Sequence, residues 1–166
     1  MVLYYLDASA WSKRYTSEFG KETLDALMAA ATEPDRVHLT SSTVSYAELI
    51  AVVVRFRNRT ALDAGKFDRL LKRITADEAA LTWLPLSEET FRTCTNFIIK
   101  HNLNATDAAL LSTLLDLRRQ SKGQDVQIWL VASDKRFLRA ASAEGLPCLD
   151  PEVISPREVY EMIGRG

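Results

Sequence analysis

The sequence predicts an α/β fold, a three-layer α/β/α sandwich around a central, mostly parallel sheet. Two observations predict it. Short apolar runs rich in β-favouring side chains alternate along the chain with longer stretches of helical periodicity, the pattern of a parallel sheet with helices on both faces. The two clearest of these runs also end in the same way. Residues 2 to 6 stop at Asp7 and a pair of small residues, and residues 126 to 132 stop at Ser133-Asp134. An acid at the carboxyl end of a buried strand stands where open α/β sheets bind their ligands.

Taken in order, residues 2 to 6 form the first strand, with Asp7 either a ligand-facing acid or only the cap of the next short helix. Residues 9 to 15 read as a short helix or turn carrying Lys13 and Arg14, and Gly20 punctuates the chain. Leu24, Leu27 and Met28 place one apolar helix face over residues 21 to 31, which Pro34-Asp35 brings to an end. Residues 37 to 40 suit a second strand. The next segment, 46 to 56, holds valines that would fit a strand, but its flanks favour a helix. Ser45-Tyr-Ala-Glu48 has the form of a capping box, which offers Glu48 a purely local role. A further helix is expected over 60 to 74, with Leu62, Phe67, Leu70, Leu71 and Ile74 on one side and an internal Gly65 costing about 1 kcal/mol.

Residues 81 to 86 predict a third short strand, and Pro85 places it at an edge or an end. Ser87-Glu88-Glu89 opens a helix running to about Lys100, and residues 101 to 104 break it. The chain restarts helically at 106 to 118. Leu110, Leu111, Leu114 and Leu115 form its apolar stripe, and Asp107, three, four and seven residues before the first three of these, shares that inward face. After the clear strand at 126 to 132 come a helix over 135 to 144 closed by Gly145, an edge strand at 146 to 149, and a last helix with Pro156 at its first position.

At 166 residues the chain has the size of a single domain, spanning 1 to 166. A hydrophobic content of 47% and a charged content of 26% are those of an ordinary soluble protein. Cys94 and Cys148 have no partners at metal-ligand spacing, so a reducing cytoplasm is expected and a zinc site or disulfide framework is not. The opening apolar run is too short for a secretory signal, and no run reaches the ~18 residues of a membrane span. A net charge of −1 excludes a polybasic protein. A nucleic-acid partner would have to be held by a local basic patch or through metal ions.

Asp7, Glu48, Asp107 and Asp134 share one address, since two terminate strands and two open helices. In a parallel sheet those ends lie on the same edge, so the four acids are expected to converge there. Four carboxylates in one cleft repel one another unless cations are present. Mg²⁺ or Mn²⁺ would relieve the repulsion and supply the means of hydrolysing a phosphodiester, acidifying water and neutralising the leaving oxygen.

The segments around these acids also carry a resemblance. Asp7-Ala-Ser9, Tyr46-Ala-Glu48-Leu, Ala105-Thr-Asp107-Ala-Ala-Leu-Leu and Leu130-Val-Ala-Ser-Asp134-Lys-Arg-Phe137 resemble, in order and spacing, the four acidic motifs of the PIN-domain ribonucleases. Residues 141 to 151 are similar to the family's closing segment. The resemblance implies a Rossmann-like sandwich and metal-dependent cleavage of RNA, frequently by a homodimer. Many members of this size are VapC-type toxins neutralised by an antitoxin protein. It further implies that Asp7, Glu48, Asp107 and Asp134 hold the metal or activate water, with Ser9 as a supporting hydroxyl. Many relatives place a hydroxyl two positions before the fourth acid, whereas here Ala132 stands there and Ser133 follows it.

Lys13 and Arg14 follow the first acid, and Lys135, Arg136 and Arg139 follow the fourth, so both groups are expected to flank the cleft and meet RNA phosphates. Arg55, Arg57 and Arg59 extend the Glu48 helix and read as a solvated face. Trp11 would stack on a base or pack a dimer interface, and Trp83 and Trp129 would join the core. Two other functions compete with the nuclease. One is a non-catalytic PIN-like module binding RNA or protein through the cleft. The other is a phosphotransfer protein, disfavoured because the first strand lacks a D-x-D.

Overall fold

In the computed structural model, residues 1–31 and 37–164 are described. The expected Pro34-Asp35 stop lies outside them. Five parallel strands make the sheet, β1 (Val2–Leu6), β2 (Val37–Ser41), β3 (Thr82–Trp83), β4 (Gln127–Val131) and β5 (Cys148–Leu149), in the order β3-β2-β1-β4-β5. The expectation of a mostly parallel sheet is therefore met by every described strand. β1 sits in the middle, paired from Val2 with Val37 on one side and with Gln127 on the other. The chain builds outward from β1 through β2 and β3, then crosses to β4 and β5. The reversal of strand order falls between β1 and β4, which is where such sheets open a binding crevice.

Burial on both faces explains why β1 and β4 are apolar nearly throughout. Side chains of a strand alternate between faces. Tyr4 and Leu6 enter one core with Val131, while Tyr5 enters the other with Ile128 and Leu130. The first core is covered by α1 (Ala8–Trp11), α2 (Lys13–Thr16), α3 (Lys21–Ala30), α4 (Thr43–Thr60), α5 (Ala64–Glu78) and α10 (Pro156–Gly164). The second lies under α6 (Glu88–Thr93), α7 (Thr95–His101), α8 (Ala105–Gln120) and α9 (Lys135–Ala143). Three layers result, as the sequence predicts.

Where the structure differs, local backbone chemistry gives the reason. The helix expected over 46 to 56 continues to Thr60 and stops at Ala61, whose φ of 50° is left-handed. Asp63 then caps α5 by accepting from the Lys66 N–H at 2.9 Å. Gly65 thus falls in the first turn of α5 rather than mid-helix, and the interior cost expected of it does not arise. The strand expected over 81 to 86 pairs only at Thr82 and Trp83, on the sheet edge as Pro85 requires. The helix expected to run to about Lys100 divides at buried Cys94 into α6 and α7. Among the described residues no helix is long and apolar enough to cross a membrane.

Candidate active site

Asp7 follows β1 directly and is 4% exposed. Its backbone N–H donates to the Val131 carbonyl at 2.9 Å, which fixes it beside the end of β4. Both readings of this residue hold, for it also caps α1, its Oδ2 accepting from the Ser9 N–H at 2.9 Å. The Ser9 hydroxyl donates to the same oxygen and accepts from the Ser133 and Asp134 N–H groups at 2.9 and 3.2 Å. One hydroxyl thus clamps the turn after β1 to the turn after β4. Ser133 takes part through its backbone; its own Oγ is buried and has no hydrogen-bond partner among the described residues. The expected support from that hydroxyl is not what the structure provides.

Asp134 caps α9, its Oδ1 accepting from the Arg136 and Phe137 N–H groups at 2.8 and 2.9 Å. Asp107 occupies the third position of α8 and is 8% exposed. Asn104, the cap of that helix, accepts from the Asp107 N–H at 2.8 Å and donates through Nδ2 to Asp107 Oδ2 at 2.9 Å. This reciprocal pair holds the carboxylate in place. Sequence reasoning passed over Asn104 as part of a break, although Asn just before a helix is a usual cap.

Glu48 is not part of a capping box. Ser42 is the cap of α4, bonded by the Ser45 N–H at 3.1 Å, and Ser45 lies inside the helix. The Ser45 hydroxyl instead meets the buried Tyr5 hydroxyl at 2.8 Å, and Tyr5 also donates to Ser42 Oγ at 2.8 Å. Glu48 is left half-buried, bonded to the Thr106 side chain and facing the charge of Asp7.

The four acids act on one another electrically. Burial, then repulsion from Asp7, Asp134 and Glu48, pushes the Asp107 carboxyl up to about 7, with Arg136 opposing. Burial also raises Asp7, against the bonds from Ser9, and Asp134 adds to the rise. Glu48 is raised by burial and by Asp7. Such a set has unmet demand for positive charge. Two cavities of about 610 and 650 Å³ lie away from these acids, so charge rather than cavity volume marks the site.

The expected basic flank is mostly committed elsewhere. Lys13 is 6% exposed and bonds Glu152 at 2.6 Å. Arg14 forks onto Asp77 at 2.7 and 3.0 Å and also pairs with Asp25. Lys135 spends its charge on Asp150 and Glu152. Lys13 and Arg14 are enclosed and serve the fold, so the expectation that these two contact phosphates is corrected, whereas Lys135 is exposed between its two acids. Arg136 is different, because it is exposed, its charge reaches Asp107, and its Nη1 donates to the Asn102 carbonyl at 3.2 Å. Trp11 is fully buried against Tyr46, with its ring N–H on the Tyr15 hydroxyl at 3.1 Å, so it neither stacks on a base nor packs a dimer interface. Trp83 and Trp129 are half-buried against the first core.

A sheet that reverses its strand order beside β1, with acids at the ends of two strands and the starts of two helices, defines an α/β/α protein with an acidic cluster at one sheet edge. The sequence pattern of the PIN domain matches residues 4–143, and the chain belongs to that family, generally a nuclease fold that usually uses divalent metal ions. The crystal structure of PAE2754 from Pyrobaculum aerophilum is similar, with a TM-score of 0.59 over 99% of this chain and 94% of that one, at 14% identity. At that identity the likeness is one of fold. A comparison with curated proteins finds no match.

The donor set fits a hard divalent cation, since it consists of carboxylate oxygens held in place and left undercompensated. Among the described residues no three acidic, histidine or cysteine side chains stand close enough to form a ready-made chelate. A Mg²⁺-sized ion keeps much of its water, borrowing one or two carboxylates and completing its shell with substrate phosphate.

Proposed function

We propose that the protein is a divalent-metal-dependent endoribonuclease that hydrolyses RNA phosphodiester bonds. The observation that carries this reading is Asp107, a carboxyl raised to about 7 by burial and by three other acids on one sheet edge. Asp7 and Asp107 hold the Mg²⁺ or Mn²⁺ ion, and Glu48 and Asp134 complete the acidic ring around it. When bound, the ion neutralises the acids and the phosphate oxygens and acidifies water for attack on phosphorus. Ser9 keeps Asp7 and the Asp134 turn in register, and Asn104 orients Asp107. Arg136 meets the phosphate next to the scissile bond. Glu48, bonded to Thr106, accepts the proton that the attacking water loses.

The same reading makes the protein the toxin of a toxin–antitoxin pair, acting in the cytoplasm as a homodimer and neutralised by an antitoxin protein. What supports this finer reading is the resemblance of the four acidic motifs to those of the PIN-domain ribonucleases, many of which at this size are VapC-type toxins. Labelled RNA incubated with the protein tests the chemistry. Cleavage should appear with Mg²⁺ or Mn²⁺, stop in EDTA, and be absent in Asp7→Asn and Asp107→Asn. Cleavage that survives EDTA and both substitutions would exclude the mechanism. Growth arrest on expression, relieved by the small protein of a neighbouring reading frame, tests the biological role.

A further inference from the structure

The helical arm made by the outer half of α4 and most of α5 differs from the rest of the chain in charge. Residues 54 to 73 hold seven of the 21 Lys and Arg residues but two of the 22 Asp and Glu residues, a local charge of +5 on a chain of net charge −1. Burial stops at the same boundaries. Val53 is the last buried residue of α4, and Ile74 is the buried residue of α5. No residue between them is fully buried, although Phe67, Leu70 and Leu71 pack their apolar side against the first core. The two helices are tied side to side by the Arg57 guanidinium, 4.6 Å above the centre of the Phe67 ring.

Helical periodicity connects this arm to the acids. Arg55 and Arg59 lie seven and eleven residues beyond Glu48, which at 100° per residue returns both to within about 20° of the Glu48 direction. At 1.5 Å per residue they stand roughly 10 and 16 Å further along the same face. Both are exposed, and Arg59 touches an acid only at 4.0 Å, on Glu18. On α5, Arg69 is exposed and makes no ion pair among the described residues. Lys66 and Lys72 are 63% and 76% exposed, with partners only three or four residues away. Pairs of that kind hold a cation weakly and release it readily to a phosphate.

We infer that this arm holds the backbone of the RNA substrate, with Arg55 and Arg59 taking the phosphates that lead out of the cleft and Arg69 a further one. The inference rests on the ribonuclease reading above and names the surface that delivers the strand to that site. An acidic cleft repels a polyanion, so its substrate needs a positive route of approach. Lys13 and Arg14 cannot provide one, being enclosed and paired with acids, and Lys135 stands alone between two acids, Asp150 and Glu152. The arm can, because its excess charge is exposed and lines up with Glu48. Single-stranded RNA fits better than an acidic protein, since Arg55 and Arg59, about one helical turn apart on the face of Glu48, suit successive phosphates of one strand.

Binding of a fluorescent single-stranded RNA, measured across a salt series in an Asp107→Asn background that does not cut, tests this. Arg55→Gln/Arg59→Gln/Arg69→Gln is compared with a control of equal charge, Arg92→Gln/Arg119→Gln/Arg157→Gln, whose sites lie off the arm. Losing three phosphate contacts should weaken binding about 10-fold or more at low salt and flatten the log–log salt slope by about 2. The control should keep the slope. Equal slopes in the two triples, or an arm variant that binds as tightly as its parent, would overturn the proposal and leave the arm to another partner, such as an acidic protein. Single Arg55→Gln, expected to lose about a third of the slope change, repeats the test should the triple variant prove unstable. A flattened slope together with no metal-activated cleavage by the unsubstituted protein would instead remove the nuclease reading and keep the RNA surface.

Discussion

Asp77 and Asp107 are both largely enclosed by protein, and they meet opposite fates. Asp77 takes two bonds from the Arg14 guanidinium and one from the Tyr15 hydroxyl. Burial works to raise its carboxyl, but those bonds and the charges of Arg14 and Arg73 outweigh it and hold the group below the usual carboxylate range. Around Asp107 the neighbours are Asp7, Asp134 and Glu48, and burial and repulsion act together. The chain therefore has the means to neutralise a buried acid and uses them between α2 and α5. At the edge beside β1 it leaves Asp7, Glu48 and Asp107 undercompensated, with the charge of Asp134 adding to the repulsion on Asp7 and Asp107. The difference teaches where to look for a ligand, since a fold that matches one cluster and not the other keeps the second for something that arrives from outside.

Substitutions should separate the two clusters. The largest effect is expected from Asp107→Asn or Asp7→Asn, which should lower metal-activated RNA cleavage at least about 10³-fold, a loss near 4 kcal/mol of transition-state stabilisation. Asp77→Asn should instead unfold the protein more easily, by about 2–4 kcal/mol, because Arg14 loses its main partner while enclosed. Denaturant titration reads that loss. If Asp77→Asn abolished cleavage at unchanged stability, the contrast would fail.

A pH series sharpens the comparison. Asp107 has a folded value of about 7, above its value near 4 in the unfolded chain. A raised group favours folding fully below the unfolded value, and that contribution is lost as pH rises through the folded one. Without metal, stability attributable to Asp107 should thus fall between about pH 4 and 7. Asp107→Asn should be more stable than its parent by about 1–3 kcal/mol at pH 8 and no different below pH 4. Asp77→Asn should behave in the opposite sense, its cost fully present above about pH 4, the unfolded carboxyl's value, and disappearing as pH falls below it.

Smaller effects follow from the clamp and from the surface pairs. Ser9→Ala leaves the Ser133 and Asp134 N–H groups without their shared acceptor and should cost about 1–2 kcal/mol of stability, with roughly a 10-fold loss of cleavage as the two acids drift apart. Lys135→Ala removes exposed ion pairs to Asp150 and Glu152 and should leave stability nearly unchanged and the metal requirement as it was.

Much of this was legible in the sequence because it is local. β1 and β4 announce themselves as unbroken apolar runs, and Asp7 and Asp134 are legible as the residues that end them. Asp107 is legible from its spacing to Leu110, Leu111 and Leu114, which places a carboxylate on an inward face. Asn104 was legible in principle, three residues before Asp107 and of a type that caps helices. What was not legible depends on distant partners. Lys13 and Arg14 look free beside Asp7, but their acids, Glu152 and Asp77, lie 139 and 63 residues away. The burial of Trp11 likewise needs Tyr46, supplied by α4. The misplaced capping box has a different cause. Ser42 and Ser45 are both good caps, and the position goes to Ser42, which accepts from the Ser45 N–H while the Tyr5 hydroxyl of β1 bonds both side chains.

The central claim is that the undercompensated acids are a divalent-cation site. Calorimetric titration of the protein with Mn²⁺ at pH 7.5, run beside Asp107→Asn and Asp77→Asn, tests it most directly. The account predicts saturable binding by the protein, retained in Asp77→Asn at a temperature where that variant is folded, and lost or weakened at least about 10-fold in Asp107→Asn. Equal Mn²⁺ binding by Asp107→Asn and the unsubstituted protein, or no binding by either, would contradict it.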